Sequence, residues 1–203
     1  MSAPRTLRGF LAERKGAVAA EFAMVSLIFL SLMLGISDMS RLLWELNSAK
    51  AATRAAVRLA VVSTPVAQDL ANYNAVTSLG IAAGSPVPAG ALPTYTCTEG
   101  ACSTGAIIAT AFDAIVARMQ GHYGRILPEN VIIEYRPVGL GFAGNPYGPD
   151  VEPLVTVRLC TDATDAATGC TPVEFAPGIL QAFGIAPFDM PAVASSLSGE
   201  DLA

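Results

Sequence analysis

In a chain of 203 residues, one carboxylate, four cysteines, one histidine and a glycine-rich hexapeptide have the types or spacing for chemistry. The carboxylate is Glu21, the single charge between Ala17 and Ser37 in an otherwise apolar run. About 20 apolar residues cross the ~30 Å hydrocarbon core of a bilayer as a helix. A carboxylate inside such a span costs on the order of 2.5–3.5 kcal/mol at mid-bilayer and less near the interface, so it is functional by default. The cysteines, Cys97, Cys102, Cys160 and Cys170, all lie beyond the run. An even number there suits two disulfides in an oxidising compartment, and four cysteines allow three pairings among which the sequence does not choose. Local bridging, Cys97 to Cys102 and Cys160 to Cys170, would pin two polar loops. Their spacing, with His122 as the only histidine, is a poor match to metal ligation, which favours pairs such as C-x2-C. No metal and no cofactor is expected.

Gly139-Leu140-Gly141-Phe142-Ala143-Gly144 is a literal G-x-G-x-x-G after a predicted strand. A dinucleotide site needs a helix to open there, so that its N-terminus meets the pyrophosphate. Asn145-Pro146-Tyr147-Gly148-Pro149 does not begin one, and the motif reads as a loop. Asp113, Glu129, Glu134, Asp162 and Asp165 have no spacing that singles any of them out. Asp162-Ala163-Thr164-Asp165 lacks the alternating ligands and glycine of a calcium loop. No nucleophile motif of the G-x-S-x-G kind is present. The chain is not expected to be an enzyme, and no small-molecule substrate is expected.

The elements that must position these residues follow from composition and period. The apolar fraction is 52% and the mean hydropathy +0.49, much of it from alanine and glycine. No second window is apolar enough to span, because Pro86, Pro88, Pro93 and Glu99 interrupt residues 80–112. The formal charge of −5, with no basic stripe in chain order, disfavours nucleic acid as a partner. Four bases (Arg5, Arg8, Arg14, Lys15) precede the span, and Arg41, Lys50 and Arg54 follow it. The positive-inside rule therefore decides orientation weakly. The cysteines decide it better, with the N-terminus in the cytoplasm and the domain outside.

Residues 1–16 read as a short cytoplasmic leader, residues 17–62 as a transmembrane helix and its extension, and residues 63–203 as an extracytoplasmic α+β domain. From Asp38 to Val62 the sequence has no Gly or Pro and is rich in helix formers. Met39, Leu42, Leu46, Ala49, Thr53, Ala56 and Ala60 form a stripe at helical period, with Arg41, Glu45, Arg54 and Arg58 opposite and an i,i+4 contribution between Arg41 and Glu45. The small residues Ala49, Ala52, Ala56 and Ala60 allow close approach either to a partner helix or to this chain's own domain. Val66–Leu79 suggests another helix, and 80–105 a loop that carries the first cysteine pair. Ala106–Gln120 is an amphipathic helix stopped by Gly121. Val131–Arg136, Leu154–Cys160 and, more weakly, Pro191–Leu197 read as strands, with a short helix at Gly178–Phe183. A small antiparallel sheet with helices against it, an α+β head, is the economical architecture.

Arg14-Lys15-Gly16-Ala17-Val18-Ala19-Ala20-Glu21-Phe22-Ala23 resembles the prepilin signature, and within that superfamily the TadE-like pseudopilins of tight-adherence (type IVc) pilus systems. Gly35-Ile36-Ser37-Asp38-Met39-Ser40-Arg41 resembles their pattern of glycine, acid and arginine after the span, and 50–60 their Ala-Arg-rich continuation. Where members often carry Phe-Gly before that arginine, Met39-Ser40 stands here. The resemblance implies cleavage by a prepilin peptidase between Gly16 and Ala17, leaving a mature chain of charge −8 whose fifth residue is Glu21. It implies that Glu21 meets the amine freed at Ala17, in its own or a neighbouring subunit. It also implies an inner-membrane location or incorporation into a pilus, with other pilins, pseudopilins and inner-membrane assembly proteins as partners.

Three other readings stand beside it. A secretory signal peptide would be cut near Gly35-Ile36-Ser37, although the helical pattern runs on past that point. A plain single-span anchor would leave Glu21 incidental. A membrane-anchored periplasmic domain binding a ligand or peptide would carry a deep apolar pocket with a few convergent polar groups.

Overall fold

The computed structural model describes residues 14–146, 148–161, 170–199 and 202. Asp162 and Asp165, and all of the leader before Arg14, lie outside the described residues. Helix α1 runs unbroken from Arg14 to Ala60, 47 residues or about 70 Å at 1.5 Å per residue. It ends in the turn before Pro65, where the predicted proline stop falls. Short helices α2 (Gln68–Ala71) and α3 (Ala75–Leu79) and the amphipathic α4 (Ala109–Gln120) follow.

The strands are β1 (Tyr95–Thr98), β2 (Ala101–Cys102), β3 (Val131–Arg136), β4 (Leu154–Leu159), β5 (Glu174–Phe175), β6 (Phe188–Asp189) and β7 (Val193–Ser198). Five of them make one antiparallel sheet in the order β2-β1-β3-β4-β7, and β5 and β6 pair separately. The fold is α+β, with a long apolar N-terminal helix and a small head built on an antiparallel sheet.

The chain forms two compact units, residues 1–43 with 176–187, and residues 44–175 with 188–203. In the second, the core gathers Ala52, Ala56 and Ala60 of α1, Phe112, Ile115 and Met119 of α4, and Ile133, Tyr135, Val155 and Val157 of the sheet. Ala49, Ala52, Ala56 and Ala60 are all fully buried there. The alanine stripe therefore packs on this chain's own domain. Without side chains beyond Cβ, these positions let the helix backbone come close to the sheet, and Thr53 Oγ1 reaches Ser195 Oγ on β7 at 3.0 Å.

Four expectations need correction. Met39 does not join the buried stripe and is 58% exposed. Glu45 is not on a solvated face but buried, with Arg125 Nη1 2.9 Å away and the Tyr123 hydroxyl donating to it at 3.5 Å. Its partners come from 78 and 80 residues downstream, which no local period reports. The stretch 80–105 is not all loop, because Tyr95–Cys102 folds as the hairpin β1–β2. Its strands are short, but β1 sends Tyr95 and Cys97 into the core while β2 forms the sheet edge. The expected helix from 66 to 79 is two short ones. Asn74 caps the second, its side chain accepting from Thr77 N–H at 3.0 Å.

Candidate functional site

Gly16, Ala17 and Glu21 occupy the first turns of α1, with Ala17 and Glu21 one turn apart and both exposed. Among the described residues, little covers the surface around them. Eleven large apolar side chains from Val18 to Ile36 are each more than half exposed, among them Phe22 (73%) and Leu27 (68%). Full burial of one such side chain is worth about 1.5–3 kcal/mol, so leaving eleven half-exposed in water forfeits on the order of 10 kcal/mol. That matches the whole net stability of a typical domain. The surface calls for an apolar solvent, and α1 is one helix long and apolar enough to cross a membrane.

At the far end of this segment Asp38 is buried. Its carboxylate accepts from three consecutive backbone N–H groups, Gly178 at 3.2 Å, Ile179 at 3.0 Å and Leu180 at 2.7 Å. One turn on, Arg41 donates to the Ala176 carbonyl at 3.3 Å. The acid and arginine that follow the span thus hold one loop between them. Sequence reading noticed this pair but not its purpose, because the loop it grips is some 140 residues away.

The head carries its own ordered chemistry. Disulfides close between Cys97 and Cys102, which face each other across the β1–β2 hairpin, and between Cys160 and Cys170. Both are the local pairings. Asp150 is fully buried and accepts from Ala75 N–H at 2.6 Å and Asn145 N–H at 2.7 Å. Burial alone would raise its pKa, but backbone donors at Gly144, Ala75, Asn145 and Val76 outweigh it and hold the carboxyl below its ordinary 3.8. Sequence reading passed over Asp150. The only signal for it was an acid ending a run of glycines and prolines.

That run includes the G-x-G-x-x-G, which is a loop here, with no helix opening after it among the described residues. Gly141 has φ +118°, and a β-carbon there would lie 2.3 Å from the Asp150 carbonyl oxygen. The motif lets two backbone segments touch, which is a structural use. A cleft of about 380 Å³ beside it is lined by Gly141, Phe142, Gly144, Asp150 and Glu152, with the Asp150 carboxylate already engaged by backbone.

Burial pushes the Tyr135 hydroxyl up to about 12, and its oxygen accepts from Val66 N–H at 3.1 Å. Burial, and then the charge of Glu45, also raise Tyr123. His122 is exposed beside Arg54, Arg58 and Arg118, which line an open groove between α1 and α4. That cluster of bases does not show in chain order. Glu134 pairs with Arg158 across the sheet, while Asp113 and Glu129 are exposed and apart. Among the described residues, no three His, Cys, Asp or Glu side chains gather as a metal site would require.

Comparison with known families places one part of this chain. The model of the TadE-like protein family matches residues 16–58. This segment is TadE-like. It takes in the first turns with Gly16 and Glu21, the exposed apolar surface, the Asp38 and Arg41 clasp, and most of the alanine stripe. The TadE-like match stops two residues short of the end of α1. No curated protein and no solved structure matches the chain.

Proposed function

We propose that this chain is a pseudopilin-like structural component of a bacterial tight-adherence pilus assembly or secretion system. In this reading α1 holds it in the inner membrane, N-terminus cytoplasmic and head periplasmic, and a prepilin peptidase cuts between Gly16 and Ala17. Its partners are pilins or pseudopilins and inner-membrane assembly proteins. Its role is structural rather than catalytic.

The observation that carries this is Glu21, one turn after Ala17 on a TadE-like helix whose surrounding apolar surface is exposed. A charge at that depth is tolerated when it is paired. Cleavage after Gly16 creates a cation one turn away, and a neighbouring subunit's new amine offers the same partner in trans. The cleavage supplies the charge and the helix supplies its counter-ion. The continuity of α1 through Gly35-Ile36-Ser37, with Asp38 engaged just beyond, favours retention of the span over removal of a signal peptide.

The test is Glu21→Ala, read as processed fraction, membrane insertion and pilus formation. Processing and insertion should persist, because the glycine is untouched and the span has lost a charge. Membrane stability should hold or rise, by up to a few kcal/mol on insertion scales. Assembly should fail, because an amine in low dielectric has lost its counter-ion. Normal pili with normal processing would leave Glu21 without this role.

A further inference from the structure

Between Glu174 and Asp189 the chain carries no charged residue, in FAPGILQAFGIAPF. The segment Ala176–Pro187 lies in one compact unit with the apolar part of α1. Asp38 fixes it through the N–H groups of Gly178, Ile179 and Leu180, and Arg41 through the carbonyl of Ala176. Leu180 lies 4.0 Å from where a β-carbon on Gly35 would stand, an ordinary packing distance from the helix.

Two further N–H groups are satisfied inside the loop, Gly184 by the Gln181 carbonyl at 3.0 Å and Ile185 by that of Leu180 at 3.2 Å. They close the short 3-10 turn Leu180–Phe183 at Gly184, an ordinary helix end that also suits an apolar phase, where each unsatisfied group costs several kcal/mol. Ile185 is nonetheless 43% exposed.

We propose that Ala176–Pro187 is a second membrane contact of the head, an apolar loop lying in the lipid interface and latched to the end of the span by Asp38 and Arg41. This rests on α1 being the span. Lipid is the occupant because the loop is clasped to the end of the exposed apolar surface of α1, across a groove whose lining is apolar apart from Ser31 and Ser40. Leu32, Gly35, Ile36, Met39 and Leu180 together line an open apolar groove of about 450 Å³, suited to an acyl chain.

The experiment uses the full chain in vesicles at high lipid-to-protein ratio, with the single native tryptophan removed as Trp44→Phe. One tryptophan is then introduced, by Ile185→Trp or, as a span reporter, by Phe29→Trp. Quenching is measured with lipids brominated along the acyl chain and with aqueous iodide. Ile185→Trp should be quenched by shallowly brominated lipid and shielded from iodide, and Phe29→Trp by deeply brominated lipid.

Adding Asp38→Ala should return the Ile185→Trp signal to that of a tryptophan in water and leave Phe29→Trp unchanged. If Asp38→Ala abolishes insertion, Arg41→Ala opens the latch more gently and should shift the signal the same way. Iodide quenching of Ile185→Trp beside a lipid-quenched Phe29→Trp overturns the loop contact and spares the span. Shielding from both quenchers means that a second copy covers the loop, which also overturns it. A Phe29→Trp without lipid quenching sinks the span reading and the proposal with it. Persistent lipid quenching of Ile185→Trp once the latch is open overturns the role of the clasp.

Discussion

The two halves of α1 are one helix with two kinds of surface, and they differ in charge, in side-chain size and in what covers them. From Val18 to Ile36 it carries Phe, Leu, Ile, Met and Val, and the protein covers almost none of them. From Ala49 to Ala60 it carries Ala, Thr and Val on a face that is wholly covered. Large exposed side chains make a surface for a fluid apolar solvent that conforms to any shape. Small buried ones make a surface for a rigid sheet, where closeness decides. Charge separates them as well, since Lys50, Arg54 and Arg58 stand in the packed half while Glu21 is the single charge between Ala17 and Ser37.

The comparison breaks most readily in the head, where removing a buried group should be expensive. Asp150→Ala leaves several buried N–H donors without an acceptor, at ~1–3 kcal/mol for each unsatisfied group. We expect a loss of about 3 kcal/mol or more in denaturant unfolding of the head. Asp150 also sets a pH dependence. Its carboxyl is held below 3.8 in the folded state, so its contribution is complete above that value and is lost as pH falls through the folded pKa. Acid should destabilise the native head in that window, while Asp150→Asn should flatten the dependence there. An unchanged acid profile in that variant would remove Asp150 from the account.

Next come the crosslinks. By loop-closure entropy the wider Cys160–Cys170 bridge should contribute about 3 kcal/mol and the narrower Cys97–Cys102 bridge about 2 kcal/mol. Paired Cys→Ser variants, unfolded in denaturant, should rank in that order. Alkylation without reductant should label none of the four cysteines, and ready labelling would mean an open bridge.

The smallest effects sharpen the contrast along α1 itself. Ala56→Leu overfills a fully buried position on the packed half and should destabilise the head by about 1–3 kcal/mol. Phe29→Ala removes far more surface from the exposed half, yet the unfolding of the head should shift by less than about 0.5 kcal/mol. A large effect of Phe29→Ala on the head would mean that the two halves are not in separate environments.

How much of this was legible depends on sequence distance. The span, the length of α1, β3, β4, α4 and the proline stop are local patterns, and the residues themselves announce them. The G-x-G-x-x-G read correctly as a loop because the helix it would need is excluded by the prolines that follow. Glu45 misled because an acid at helical spacing from arginines looks solvated until a partner arrives from Arg125. The β1–β2 hairpin hid because its strands are only four and two residues long and lie among prolines and glycines, too short for the alternation of Tyr95 and Cys97 to stand out. Asp38 and Arg41 were visible as a pattern, but their object, the loop after Phe175, is fixed only by folding.

In the function proposed above, the chain is matured as a prepilin and stays in the membrane through α1. Intact-mass analysis of the protein extracted from native membranes tests it most directly. The predicted mass is that of a chain beginning at Ala17, with Gly16→Val leaving the unprocessed chain in the membrane. A chain that still carries Met1–Gly16 in the presence of active peptidase, or one that begins at Asp38, would contradict it.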